Sequence, residues 1–179
     1  ISEDGWYDAY FAGVGDVYSN GGYWSLKSDR LVVVNGGDVA LRPGDVVAIA
    51  GVQKLPDGSP VLAVCPAEAA NGAAVVGVVA QAVRLEKVLS GRVETLDVQP
   101  VAGDAAPGGY LAIVTGGLVL GVRVEAPAGL QVGDWLTVSS TPGVAAKAGP
   151  DGAGGGARLG KVAGPVDESG TVAVFVILH

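Results

Sequence analysis

Leu41-Arg-Pro-Gly44-Asp45-Val-Val-Ala-Ile49 is written again, 89 positions later, as Leu130-Gln-Val-Gly133-Asp134-Trp-Leu-Thr-Val138. In each copy a leucine leads into a Gly-Asp turn, and the turn opens a run of β-favouring residues. Glycine supplies the positive φ that many tight turns demand, and aspartate folds its carboxylate onto nearby backbone N–H groups. A second pair follows in unchanged order. Val76-Gly77-Val78-Val79-Ala80-Gln81-Ala82-Val83 is echoed by Leu159-Gly160-Lys161-Val162-Ala163-Gly164-Pro165-Val166, offset by 83 positions. Two related β units are therefore expected between Leu31 and His179.

The rest of the body has the same grammar: short Val/Ile/Leu runs punctuated by Gly, Pro, Asn and Asp. Such punctuation marks many short strands joined by turns and points to a sandwich or barrel, not a parallel α/β sheet. Four hairpins are expected: Leu31-Val34 with Asp38-Leu41 around Asn35-Gly36, and Val46-Ala50 with Val61-Val64 around 55–58. The others are Tyr110-Val114 with Leu118-Val124 around Thr115-Gly116-Gly117, and Leu159-Ala163 with Thr171-Leu178 around 167–170. The best helical stretch is Cys65 to Asn71, one or two turns behind Pro66.

Composition removes several function classes. The chain has 179 residues, 30 of them glycine and 10 proline; 49% are hydrophobic and 16% charged. A mean hydropathy of +0.44 is too apolar for a disordered chain. Eleven Lys and Arg against 18 Asp and Glu give a net charge of −7, so binding driven by phosphate neutralisation is not expected, nor is a polybasic membrane anchor. No apolar run reaches the roughly 18 residues of a membrane-crossing helix. The single histidine, His179, is terminal, and the single cysteine, Cys65, has no histidine beside it in sequence. One of each cannot build a zinc site of His and Cys ligands, and a terminal histidine is poorly placed for a triad. The start at Ile1 reads as a processed or trimmed terminus.

The first 24 residues stand apart. Trp6, Tyr7, Tyr10, Phe11, Tyr18, Tyr23 and Trp24 are seven of the chain's ten aromatics, interleaved with glycines and with Glu3, Asp4, Asp8 and Asp16. Aromatics beside glycine favour an extended segment over a helix. Residues 1–29 read as an extended aromatic arm, and 30–179 as a β body with approximate halves 30–100 and 101–179. The plain alternative is a first strand or two packing back on the same domain. The arm reading assigns Trp6, Tyr7, Tyr10, Phe11 and Tyr18 to self-assembly, by adding a strand or an anchor to a neighbouring copy.

Candidate chemistry is thin. Gly155-Gly-Ala-Arg-Leu-Gly160-Lys161 fits the first seven places of a phosphate-binding loop, but Val162 stands where magnesium needs Ser or Thr, and Pro165 opposes the helix that must follow. Ser139, Ser140 and Lys147 contain the residue types of a Ser/Lys nucleophile pair, although Ser-Ser-Thr-Pro-Gly is more simply a turn. Cys65 reads as a small buried hydrophobe. Glu3, Asp4 and Asp8, and Asp167-Glu168-Ser169, raise calcium as a candidate ligand, without EF-hand spacing and with solvated turn carboxylates as the simpler reading. No catalytic residue and no other cofactor is expected.

Gly133-Asp-Trp-Leu-Thr-Val-Ser-Ser-Thr-Pro-Gly-Val-Ala-Ala-Lys-Ala148, then Leu159-Gly-Lys-Val162, then Thr171-Val-Ala-Val-Phe-Val-Ile-Leu178 resembles the β-rich C-terminal modules of bacterial surface proteins and phage tail-fibre-like proteins. Gly15-Asp-Val-Tyr18 with Gly21-Gly-Tyr23 is similar to the strand that precedes such modules. Val144 stands where relatives often carry a polar residue or histidine. The resemblance implies an appendage or surface role with self-association and brings no catalytic residue with it. The expectation is an all-β, secreted or virion/cell-surface subunit of a fibre or filament, whose partners are other copies of itself. The alternative is a binding module in which Trp6, Trp24 or Trp135 stacks on a glycan or receptor sugar.

Overall fold

A computed structural model describes residues 28–55, 57–90, 93–149 and 157–178. The fold is all-β, with ten strands among the described residues: β1 (Ser28–Asn35), β2 (Val46–Lys54), β3 (Pro60–Pro66), β4 (Val75–Ser90), β5 (Val93–Val101), β6 (Tyr110–Arg123), β7 (Trp135–Val138), β8 (Ala145–Lys147), β9 (Gly160–Val162) and β10 (Thr171–Ile177). Helical structure among the described residues is limited to 3-10 turns at Gly72–Ala74 and Pro127–Gly129.

Hydrogen bonding closes the strands into two rings that share β6. In the first, β1 pairs with β3 in parallel, β3 with β2, β2 with β4, β4 with the start of β6, and β6 with β1. The second runs from the end of β6 to β10, β9, β7 and β8. It closes through a parallel bridge between Val124 and Ala145. Closure removes most of the unpaired edges that an open sheet would present.

The sequence repeat is a repeat of hydrogen bonds. Asn35 faces Val64 in the first unit as Val124 faces Ala145 in the second. Gly36 N donates to Val64 O at 2.8 Å, and Glu125 N to Ala145 O at 2.7 Å. Val47 pairs with Gly77, and Leu136 with Gly160. Both glycines sit where another strand's backbone passes close by: an added Cβ would lie 2.4 Å from Val114 O at Gly77 and 2.2 Å from Phe175 O at Gly160. The interiors match as well. Val33, Val47, Val64, Val79, Leu111 and Ile113 fill the first unit where Val122, Leu136, Ala145, Val162, Val172 and Val174 fill the second. Strand alternation produces this filling: along β10, Val172, Val174 and Val176 are buried and Phe175 is exposed. Each fully buried Val or Leu contributes roughly 1.5–3 kcal/mol of burial free energy.

Two of the four expected hairpins are present. β2 and β3 turn at 55–59, with Leu55 N donating to Ser59 O at 2.8 Å, and β9 and β10 turn at 167–170. The other two are corrected. Residues 38–41 form no strand beside β1; only Leu41 makes a bridge, to Ala105. Both edges of β1 are already occupied near Asn35, and the buried Asn35 amide gathers the following loop by donating to Val39 O and Ala105 O. Thr115-Gly116-Gly117 is no turn but the middle of β6. Gly116 lies between Asp29 and Ile177, and Gly117 (φ +90°) between Ser28 and Val176, so strands on both sides keep the segment in the sheet, with a bulge against β1 at Thr115.

The helix expected over Cys65 to Asn71 is also absent. Cys65 and Pro66 end β3, and the Asn71 side chain holds a turn by accepting from Glu68 N at 2.7 Å and donating to Pro66 O at 3.2 Å. The sequence repeat did not announce the ribbon formed by β5 and the far half of β4, paired from Ala82–Val101 to Ser90–Val93. It occupies the place that the short turn between β9 and β10 takes in the second unit.

Candidate interaction surface

The two Gly-Asp turns have one local geometry. Asp45 Oδ2 accepts from Arg42 N and Asp134 Oδ2 from Gln131 N, both at 2.8 Å. Gly44 (φ +88°) and Gly133 (φ +93°) supply the left-handed residue. Each turn then clasps the repeated strand: Gly44 N donates to Val79 O and Val79 N to Asp45 O, while Gly133 N donates to Val162 O and Val162 N to Asp134 O.

Their surroundings differ. The first turn is the contact between the units: Arg123 N donates to Gly44 O at 3.2 Å, Val46 N to Gly143 O at 3.0 Å and Gly143 N to Ala67 O at 2.8 Å. Arg123 Nη1 reaches Asp45 Oδ1 at 2.6 Å, with the aspartate side chain 6% exposed. The second turn lies at the surface, where Asp134 pairs with Lys147 at 2.6 Å. The lysine hydrogen bond, followed by the Gln131 N–H, holds the Asp134 carboxyl below its ordinary value.

The outward row beside each turn follows the same division. In the first unit Val46, Val78 and Val114 lie side by side on three strands, are at most 1% exposed, and join the hydrophobic core of the second unit. The equivalent row in the second unit is Trp135, Lys161 and Phe175, continued by Leu118 on β6. Phe175 is 48% exposed, Leu118 45%, and Leu120 nearby 71%. Lys161 Nζ and the Arg158 guanidinium lie 4.9 and 5.0 Å from the centre of the Trp135 ring, at cation–π distance.

Of the residues singled out by the sequence, Trp6, Tyr7, Tyr10, Phe11 and Tyr18 lie outside the described residues, as do Glu3, Asp4 and Asp8. Ser139 and Lys147 are not paired: Ser139 Oγ donates to Glu125 Oε2 at 2.7 Å, whereas Lys147 is engaged by Asp134 and Gly129 O. Ser139 Oγ also accepts from Thr141 N, which fixes the Ser-Ser-Thr-Pro-Gly turn. Gly160 and Lys161 of the phosphate-loop match lie in β9, not before a helix. Cys65 is only partly buried, correcting the buried-hydrophobe reading, and desolvation, with Glu68 nearby, raises its thiol pKa.

Asp167 is saturated by its own turn, accepting from Ser169 N, Ser169 Oγ, Thr171 N and Thr171 Oγ1. Thr171's hydroxyl, then that of Ser169, pulls this carboxyl down to about 2. Among the described residues no three His, Cys, Asp or Glu side chains converge as metal ligands. Sequence reasoning missed the outer row, since its partners come from four strands. The signal present was the echo of Val76–Val79 in Leu159–Val162, in which Val78 is replaced by Lys161.

No protein-family model matches the chain, and no curated protein matches it in sequence.

Proposed function

We propose that this protein is a structural subunit of a secreted or surface-borne fibre or filament, assembling through its aromatic N-terminal segment. The observation that carries the reading is the composition of the core. Among the described residues the buried hydrophobic side chains are Val, Leu, Ile and Ala, with no Trp, Tyr or Phe. Two closed β units thus fill their interiors without aromatics, while seven of the ten aromatics sit in residues 1–24. Aromatic side chains bury large areas and dominate interface energetics, so their concentration in the first 24 residues favours use between molecules. Head-to-tail contacts of that kind generate open filaments when the rotation does not close.

Deleting residues 1–24 is expected to leave a folded body that no longer assembles. Electron microscopy of both forms, with circular dichroism of the truncated one, tests this. A truncated protein that still builds the same polymer overturns the reading.

A further inference from the structure

We propose that the row formed by Trp135, Lys161, Phe175 and Leu118 is the surface on which residues 1–24 of a second copy of this chain dock. The inference rests on the arm-mediated assembly proposed above and names the acceptor. Within one chain, the equivalent row of the first unit, Val46, Val78 and Val114, is buried against the second unit. The row on the second unit occupies the same strand positions, carries larger apolar groups, and leaves Phe175 and Leu118 about half exposed.

The body of a second copy cannot cover it in the way the second unit covers the first. That internal contact uses Gly121 (φ +73°), Arg123 and Gly143, whose counterparts in the first unit are Val32, Val34 and Leu62. The left-handed kink, the guanidinium and the open glycine backbone are all missing there. The N-terminal segment has the complementary chemistry. Residues 1–24 hold four carboxylates and no Lys or Arg, and Lys161 and Arg158 flank Trp135 on the row. Trp6, Tyr7, Tyr10 and Phe11 supply apolar surface for Phe175 and Leu118. The segment joins the body at Ser28, opposite Gly117 on the edge of β6 away from β10. Phe175 lies only two strands from that junction, so the length of the segment admits either chain, and the head-to-tail assembly proposed above selects a neighbour's.

Complementation between full-length variants tests the pairing. Lys161→Glu and, separately, Phe175→Ser disable the acceptor at exposed positions; Trp6→Ala with Tyr10→Ala disables the donor. Thermal unfolding first verifies that each variant is folded, and sedimentation velocity then reads association. Each variant alone is expected to associate at least tenfold more weakly than the unaltered protein. An equimolar mixture of donor and acceptor variants is expected to form a species of two copies and stop there. If both acceptor variants assemble normally while the donor variant does not, the row is wrong and arm-mediated assembly stands. If the donor variant assembles normally while the acceptor variants fail, the occupant is wrong. Failure of both kinds with no two-copy species on mixing places the segment on its own chain and overturns the proposal. An unaltered protein that stays monomeric at every concentration removes the assembly reading itself.

Discussion

The Gly44-Asp45 and Gly133-Asp134 turns are the same structure in two environments. Each has a left-handed glycine, an aspartate accepting the N–H three residues earlier, and a pair of backbone bonds to the repeated strand. One is pressed between the units with a buried ion pair; the other stands in solvent with an exposed one. Local sequence builds the turn, and the neighbourhood sets how much stability depends on it.

The comparison breaks most sharply at the glycines. A Cβ at Gly44 would lie 2.0 Å from Gly121 O, while one at Gly133 meets nothing within 4 Å. Gly133→Ala is expected to cost about 1–2 kcal/mol, the strain of a left-handed non-glycine residue. Gly44→Ala adds that strain to a backbone collision that forces the units apart, for a total above about 4 kcal/mol. Urea midpoints measure both, and equal losses would mean that the contact between units is soft.

The aspartates give the next largest difference. Asp45→Ala strands Arg123 at the contact between units and is expected to cost about 3 kcal/mol, the low end for breaking a buried pair because the arginine is one-third exposed. Asp134→Ala removes a solvent-exposed pair and is expected to leave the urea midpoint far less changed than Asp45→Ala does. Raising the salt concentration should weaken the Asp134–Lys147 contribution and leave that of Asp45–Arg123 largely intact.

The smallest effect is in acid. Asp167 has a folded-state pKa of about 2 against an ordinary 3.8, so the unfolded chain binds the proton first as pH falls. Its contribution to stability is complete above the ordinary value and is lost as pH drops from near 4 to about 2. Thr171→Val removes the hydroxyl that lowers this carboxyl most, and the Asp167 pKa should rise toward 3.8 in an NMR titration. An unmoved value would assign the shift to Ser169 and the backbone.

Much of the fold is legible in the residues. The Gly-Asp turns, the Val/Gly strands that echo each other and the hairpins at 55–58 and 167–170 are local patterns, and each is present. Thr115-Gly116-Gly117 reads as a turn because two glycines in isolation favour a bend. Only strands on both sides, supplied from β1 and β10, turn the would-be bend into a bulge within β6, with Gly117 at φ +90°. Asn35-Gly36 misleads for a related reason: its amide does make the local turn bonds to Gly37 N and Val39 O, but β3 and β6 already occupy both edges of β1, so no returning strand can pair. Beyond the change of Val78 to Lys161 in the repeat, the outer row leaves no mark in the sequence, because Trp135, Lys161, Phe175 and Leu118 are neighbours only through strand pairing.

The sequence by itself determined that the body is β, that it is written twice and that seven of the ten aromatics lie in the first 24 residues. Turn chemistry and side-chain period act over a few residues, so they can be read without a partner. The tertiary structure alone decided that one strand serves both units and that Val46 is buried where Trp135 faces outward. Those outcomes depend on which surfaces meet, and burial and strand pairing between distant segments are set only when the whole chain closes.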